Sequence, residues 1–154
     1  MKKINLAIQK SGRLNKESIS LLEKAGIKFD NFKDQLKVDC QNFPLNIYFL
    51  RNSDIPRYLS DGVVDIAIIG QNLIQESELN IDEIMNLNFS RCRVSIAIPL
   101  NMKYSGLKDL NNLKIATSYP NTLKKFLSNN NLNCEIHKIN GSVEISPNIG
   151  LSDA

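Results

Sequence analysis

Apolar residues come in short bursts separated by polar turns, and the period of the bursts changes along the chain. Ile4-Asn5-Leu6-Ala7-Ile8 has the length and apolarity of a strand. The polar stretch Gln9-Lys10-Ser11-Gly12-Arg13 follows. A helix is then predicted, with Asn15 as N-cap, Leu14 and Ile19 as the pair of a hydrophobic staple, and Glu17 in the first turn, where the helix dipole favours an acid. Ile19, Leu22 and Ala25 recur on one face, and Gly26 supplies the stop. A hairpin-like region is expected around Phe29 to Phe43, and a strand from Leu45 to Leu50. Ser53 is placed to cap a short helix over Asp54 to Leu59, ended by Asp61-Gly62. Val63 to Ile69 is apolar but for Asp65, the pattern of a strand covered on both faces, as in a parallel sheet. Strand, helix and strand in this order make a βαβ unit.

Gly70-Gln71-Asn72 then predicts a tight turn, and helical or irregular chain runs to about Asn88. Cys92 to Pro99 reads as a strand and as the crossing between two lobes, residues 1–93 and 94–154. Leu107 to Leu110 predicts a helical turn and Leu113 to Thr117 a strand. Pro120 is well placed to open a helix through Leu127. Asn129 to Asn131 reads as a loop and Cys134 to Ile139 as a strand. Gly141-Ser142 leads into a short helix with Glu144 in its first turn, closed by Gly150. Strands and helices alternate throughout, so the expected class is α/β.

Composition narrows the function without naming it. With 42% hydrophobic and 23% charged residues, the 154-residue chain is a soluble core-former, long enough for one domain or two small lobes. A net charge of +3 from scattered lysines is too mild for a nucleic-acid groove. No apolar run approaches the ~20 residues of a membrane span, and the N-terminus has no secretory apolar region, so a cytoplasmic protein with no membrane partner is expected. Cys40, Cys92 and Cys134 are widely spaced and His137 is the single histidine, which favours reduced structural thiols over a zinc site or disulfide framework.

Four strand-to-helix turns carry candidate chemistry. Lys10-Ser11-Gly12-Arg13 offers backbone N–H groups, close approach at Gly12 and two cations, the ingredients of an anion site, although a solvated basic turn has the same spacing. Gly70 would let a ligand lie against the backbone at a strand's carboxyl end, or is a plain turn glycine. In Thr117-Ser118-Tyr119-Pro120, Ser118 and the helix start would hold phosphate while Tyr119 packs on a base or ribose; the alternative is capping. Gly141-Ser142-Val143-Glu144 offers a ligand or magnesium contact at Glu144, or capping alone. Together they point to a cleft for a small phosphorylated ligand.

Ile8-Gln9-Lys10-Ser11-Gly12-Arg13-Leu14, Asp61 to Ile66, Cys92 to Ser95, Ile115 to Pro120, Asn140 to Glu144 and Gly150 to Ala154 resemble, in order, ATP phosphoribosyltransferase. The resemblance covers essentially the whole chain, and its first loop looks like that of the long-form branch. It implies two α/β lobes of the periplasmic-binding-protein type (type II), with the second lobe and the return to the first incomplete. It also implies condensation of ATP with phosphoribosyl pyrophosphate (PRPP), using Mg²⁺, in the first step of histidine biosynthesis. Histidine would inhibit through a C-terminal domain absent here, the enzyme would be a homo-oligomer, and this fragment alone would be inactive. Carried onto this chain, Lys10, Arg13 and Glu144 become the expected catalytic residues. Ser11, Gly12, Arg51, Gly70, Arg93, Ser118, Tyr119, Gly141, Ser142 and Asp153 would bind substrate, with Glu144 and Asp153 beside the metal. The rival readings are a two-lobe effector-binding protein without catalysis and a structural or regulatory remnant.

Overall fold

The computed structural model describes residues 2–30 and 35–154. The chain divides into two compact units, Met1–Cys92 and Arg93–Ala154.

In the first unit, strand β1 (Ile4–Gln9) lies inside a four-stranded sheet, between β3 (Leu45–Leu50) and β4 (Ile66–Ile68), both parallel to it; β2 (Lys37–Asp39) pairs antiparallel to β3, giving the order β2-β3-β1-β4. Alternation along β1 sorts its side chains between two layers. Leu6 and Ile8 join Leu45, Ile47, Phe49 and Leu22 of helix α1 (Arg13–Lys24), while Ala7 turns the other way, into a group with Ile55 of helix α2 (Ile55–Ser60) and Val64. Burying each large side chain contributes about 1.5–3 kcal/mol. Asp65, the one charge in its apolar run, fixes where β4 begins: its carboxylate accepts from the Asn5 N–H at 2.7 Å, and its own N–H donates to the Asn5 carbonyl at 2.9 Å. Helix α3 (Gln71–Ser77) follows.

The second unit contains two parallel strands, β5 (Lys114–Thr117) and β6 (Glu135–Lys138), joined by helix α4 (Pro120–Asn129). Ile115, Leu123 and Leu127 form its core, with Ile96 and Ile136 packed against them. Three-residue and four-residue 3-10 turns cover Val143–Ile145 and Leu107–Leu110. No helix among the described residues is long and apolar enough to cross a membrane.

Several expectations need correction. Helix α1 starts at Arg13, so Gly12 is the N-cap and Asn15 lies inside the first turn, where its amide donates to the Gln9 carbonyl at 2.7 Å. The staple of Leu14 with Ile19 is thereby out of register, and Glu17 falls in the second turn. Ser53 does not cap α2; its hydroxyl donates to Asp54, which holds the N-cap position without a side-chain cap. Val63 to Ile69 is not a strand buried on both faces. Only Ile66–Ile68 pair, at the sheet edge, and Val63 is half exposed. Gly70 opens α3 in extended conformation rather than forming a tight turn. Cys92 to Pro99 is not a strand: among the described residues none supplies a ladder to it. Part of the Phe29 to Phe43 hairpin lies outside the described residues; the observed antiparallel pair is β2 with β3.

Candidate functional site

Parallel register brings three chain exits together at one end of the first sheet. Gln9 pairs with Leu50 and the Lys10 N–H continues that ladder to the Leu50 carbonyl at 2.7 Å, so the Lys10–Arg13 loop and Arg51 leave side by side. Ile68 pairs with Ile8 on the other flank of β1, so Gly70 leaves at the same end. Since β3 and β4 lie on opposite sides of β1, this is the crevice at carboxyl ends where open α/β sheets collect ligands.

The loop's backbone is built for close approach. Gly12 has φ +92°, in the region that favours glycine, and a Cβ there would sit 3.4 Å from the Gln9 side chain. Asn15 reaches back to the Gln9 carbonyl and closes the loop on itself. No side chain caps α1 and its first turn holds no acid, so its leading N–H groups and the dipole favour an anion. Ser11 and Arg13 are exposed on this loop, and one guanidinium nitrogen of Arg13 donates to the Arg91 carbonyl at 3.0 Å. Gly70 needs no special backbone, at φ −70°, but a Cβ there would meet the Asn72 amide oxygen at 2.5 Å.

The second unit contributes a cavity of about 750 Å³, within the range of small-molecule sites. Ile98, Tyr104, Leu107 and Phe126 give it apolar walls, and Ser118, Tyr119 and Glu144 add polar groups. Two hydrogen bonds shape its β5 side: the Tyr119 N–H donates to the Thr117 hydroxyl at 2.9 Å, and the Ser118 hydroxyl donates to the Ile139 carbonyl at 2.7 Å, tying together the ends of β5 and β6. The expected phosphate contact of Ser118 is therefore already spent on the backbone, leaving a cradle role. Ser142 sits in left-handed conformation (φ +50°) and makes no side-chain cap, which corrects the capping alternative. Gly141, Ser142 and Glu144 are exposed. Arg93 is exposed at the start of this unit and does not line the cavity.

Asp153 is set apart from these turns. Its carboxylate accepts from the Lys114 N–H at 2.8 Å, at the amino end of β5, roughly 10 Å along the strand from Thr117. Among the described residues no three His, Cys, Asp or Glu side chains gather as a metal cluster. A Mg²⁺ ion carried by substrate phosphates needs only one or two carboxylates. Glu144, on the cavity wall, fits that demand; Asp153 has one carboxylate oxygen bonded at the opposite end of β5 from Thr117. Sequence reasoning missed the Asn15 clamp and the cavity residues Tyr104 and Phe126. Asn15 carried a signal, taken for capping, whereas the aromatics carried none.

The family model of ATP phosphoribosyltransferase matches residues 51–154. The chain belongs to this family. It is 50% identical over 151 residues to an ATP phosphoribosyltransferase of Cytophaga hutchinsonii and 46% identical to one of Bacteroides thetaiotaomicron, matches that cover 98% of this chain and 53% of each relative. The chain thus spans about half the length of the curated relatives it matches. Among solved structures it is similar to the ATP phosphoribosyl transferase (HisG:HisZ) complex from Thermotoga maritima, with a TM-score of 0.66 and 27% identity over 97% of this chain and 70% of that one. The α/β architecture read from the alternation of elements agrees with that neighbour.

Proposed function

We propose that this chain carries substrate-binding surfaces of an ATP phosphoribosyltransferase, which joins ATP to PRPP and releases pyrophosphate in the first step of histidine biosynthesis. Family membership supplies the reaction. The Lys10–Arg13 loop at the carboxyl edge of β1 is the observation that ties the reaction to this chain.

N1 of adenine already carries a lone pair, so the attack needs no Ser, Cys or His nucleophile. The N1–C1′ bond forms as the C1′–oxygen bond breaks, and pyrophosphate departs with the electron pair. What the protein must supply is alignment and stabilisation of the charge that builds on the leaving group. Lys10 and Arg13 grip a phosphate-bearing substrate, with Ser11 and Gly12 presenting backbone and Arg51 and Gly70 flanking them. Ser118, Tyr119, Gly141 and Ser142 form a second cradle, with Arg93 a further cation for the substrates. Glu144 faces the ribose or the metal. When bound, Mg²⁺ would neutralise charge on the pyrophosphate oxygens. Histidine inhibition, a homo-oligomeric state and a cytoplasmic setting belong to the same reading.

The test is to incubate the full-length gene product with ATP, PRPP and Mg²⁺ and measure pyrophosphate release. No release, with ATP still bound, would move the assignment to a non-catalytic binding protein. In the active enzyme, Arg13→Ala removes a charge-assisted hydrogen bond of about 1.5–3 kcal/mol. It should therefore lower kcat/KM by roughly 10–100-fold, and an unchanged value would take Arg13 out of the site. Glu144→Gln is expected to alter PRPP and Mg²⁺ dependence.

A further inference from the structure

Residues 86–91 hold a cluster of interactions that the chemistry above does not use. Asn88 and Ser90 both lie in the left-handed region, at φ +59° and +49°, an uncommon conformation for residues other than glycine. Such backbone persists where surrounding contacts fix it. Four side-chain hydrogen bonds do so here. The Asn88 N–H donates to the Asn86 amide oxygen at 2.9 Å, and Arg91 donates to the Asn88 amide oxygen at 3.1 Å. The Ser90 hydroxyl donates to the Glu17 carboxylate, and Arg13 donates to the Arg91 carbonyl.

The last two contacts reach α1 four residues apart, on one helix face. Ser90 and Glu17 therefore hold the Arg91 carbonyl at the place where Arg13 can use it. A guanidinium has five N–H donors in a fixed plane, and one bond to a carbonyl sets that plane while leaving the others for an anion. An exposed arginine must lose rotamer freedom to grip phosphate; one already oriented loses less.

We infer that Ser90 and Glu17 are positioning residues for Arg13, holding its guanidinium ready for the phosphate of a substrate. This rests on the Lys10–Arg13 loop being the anion site, and the experiment separates the two claims. Inorganic pyrophosphate is titrated into the protein while the amide signals of Ser11, Gly12, Ser90 and Arg91 are followed by NMR. Arg13→Ala should weaken binding by about tenfold or more. Ser90→Gly keeps the left-handed backbone, changes no charge and deletes the hydroxyl; it should weaken binding by about threefold to tenfold and shift the Arg91 amide signal. Glu17→Gln, whose amide oxygen still accepts from Ser90, should bind at least as well as wild type, since it also removes a negative charge near the anion. Arg13→Ala with Ser90→Gly should bind no more weakly than Arg13→Ala alone. If Arg13→Ala weakens binding and Ser90→Gly does not, the positioning inference is overturned and the loop assignment stands. If the two effects multiply, Ser90 acts independently of Arg13 and the inference is likewise overturned. Undiminished binding in Arg13→Ala removes the loop assignment and the inference with it.

Discussion

The two units use their apolar residues differently. In the first, every apolar side chain of β1 after Ile4 is buried, and helices lie against both faces of the sheet through the two groups built on Leu6–Ile8 and on Ala7. In the second, two short strands and one helix bury Ile115, Leu123 and Leu127, while Val94, Tyr104, Leu107 and Phe126 stay substantially exposed along the cavity. A well-covered sheet suits a loop whose function lies in backbone geometry: Gly12 and the start of α1 are held rigidly by β1. An apolar cavity suits a flat ring. One unit carries a cationic loop on a covered sheet and the other an apolar cavity.

The comparison breaks first on core truncation. Ile47→Ala, at a fully buried site in the first unit, should cost about 2–5 kcal/mol. Ile96→Ala, at a partly buried site in the second, should cost well under half as much. Urea denaturation measures both, and equal costs would mean that the second unit is as tightly packed as the first.

A smaller effect distinguishes the units by acid. In the second unit the Asp109 carboxylate accepts from the Ser105 N–H and hydroxyl, each at 2.7 Å, and from the Gly106 N–H at 3.2 Å. The Ser105 N–H, foremost among these, holds its pKa below the ordinary aspartate value of about 3.9. A depressed carboxylate pKa stabilises the fold above the unfolded value, and the gain is lost as pH falls through the folded value. Protection of the Ser105 and Gly106 amides, measured against their intrinsic exchange rates, should therefore fall only in that acid range. Loss of protection near neutral pH would contradict the bonds.

The smallest effect is on thiol reactivity. Burial pushes the Cys40 and Cys134 thiols up, and the Cys134 thiol also donates to the Leu110 carbonyl. Cys92 is exposed. At neutral pH a limiting alkylating reagent should modify Cys92 well before the other two, because the thiolate is the nucleophile. Early modification of Cys40 would show that the first unit opens more readily than its packing implies.

Much of this was legible where the cause is local. Leu45–Leu50 and the helix opened by Pro120 follow from apolar runs and a fixed φ, and the loop between β1 and α1 follows from the polar run Gln9 to Gly12. Cys92 to Pro99 failed as a strand because a strand needs a ladder partner, which no window of eight residues contains. Asn15 and Ser53 failed as caps because the backbone path, set by packing, decides which residue stands at the boundary; Ser142 stands at its boundary, but in left-handed backbone and without a cap bond. The Ser90–Glu17 contact was beyond reach for a similar reason: its partners are 73 residues apart. The family resemblance supplied candidate residues that periodicity could not, but not their geometry, and Asp153, bonded at the amino end of β5, shows the difference.

The inner position of β1 has a consequence for how the chain acquires its shape during synthesis. Leu6 pairs with Ile47 and Ile66, about 40 and 60 residues downstream, whereas Lys114 pairs with Glu135 after only about 20. Within its unit the strand made earliest is therefore among the last to find its neighbours, since distant closures must precede their reward. Until then Leu6, Ala7 and Ile8 form an unpaired apolar edge, the kind of surface that aggregates or recruits chaperones. The later-made β5–α4–β6 segment can close soon after it emerges. The more solid unit is thus expected to be the slower to form, and its vulnerable interval is set by the wait for β4.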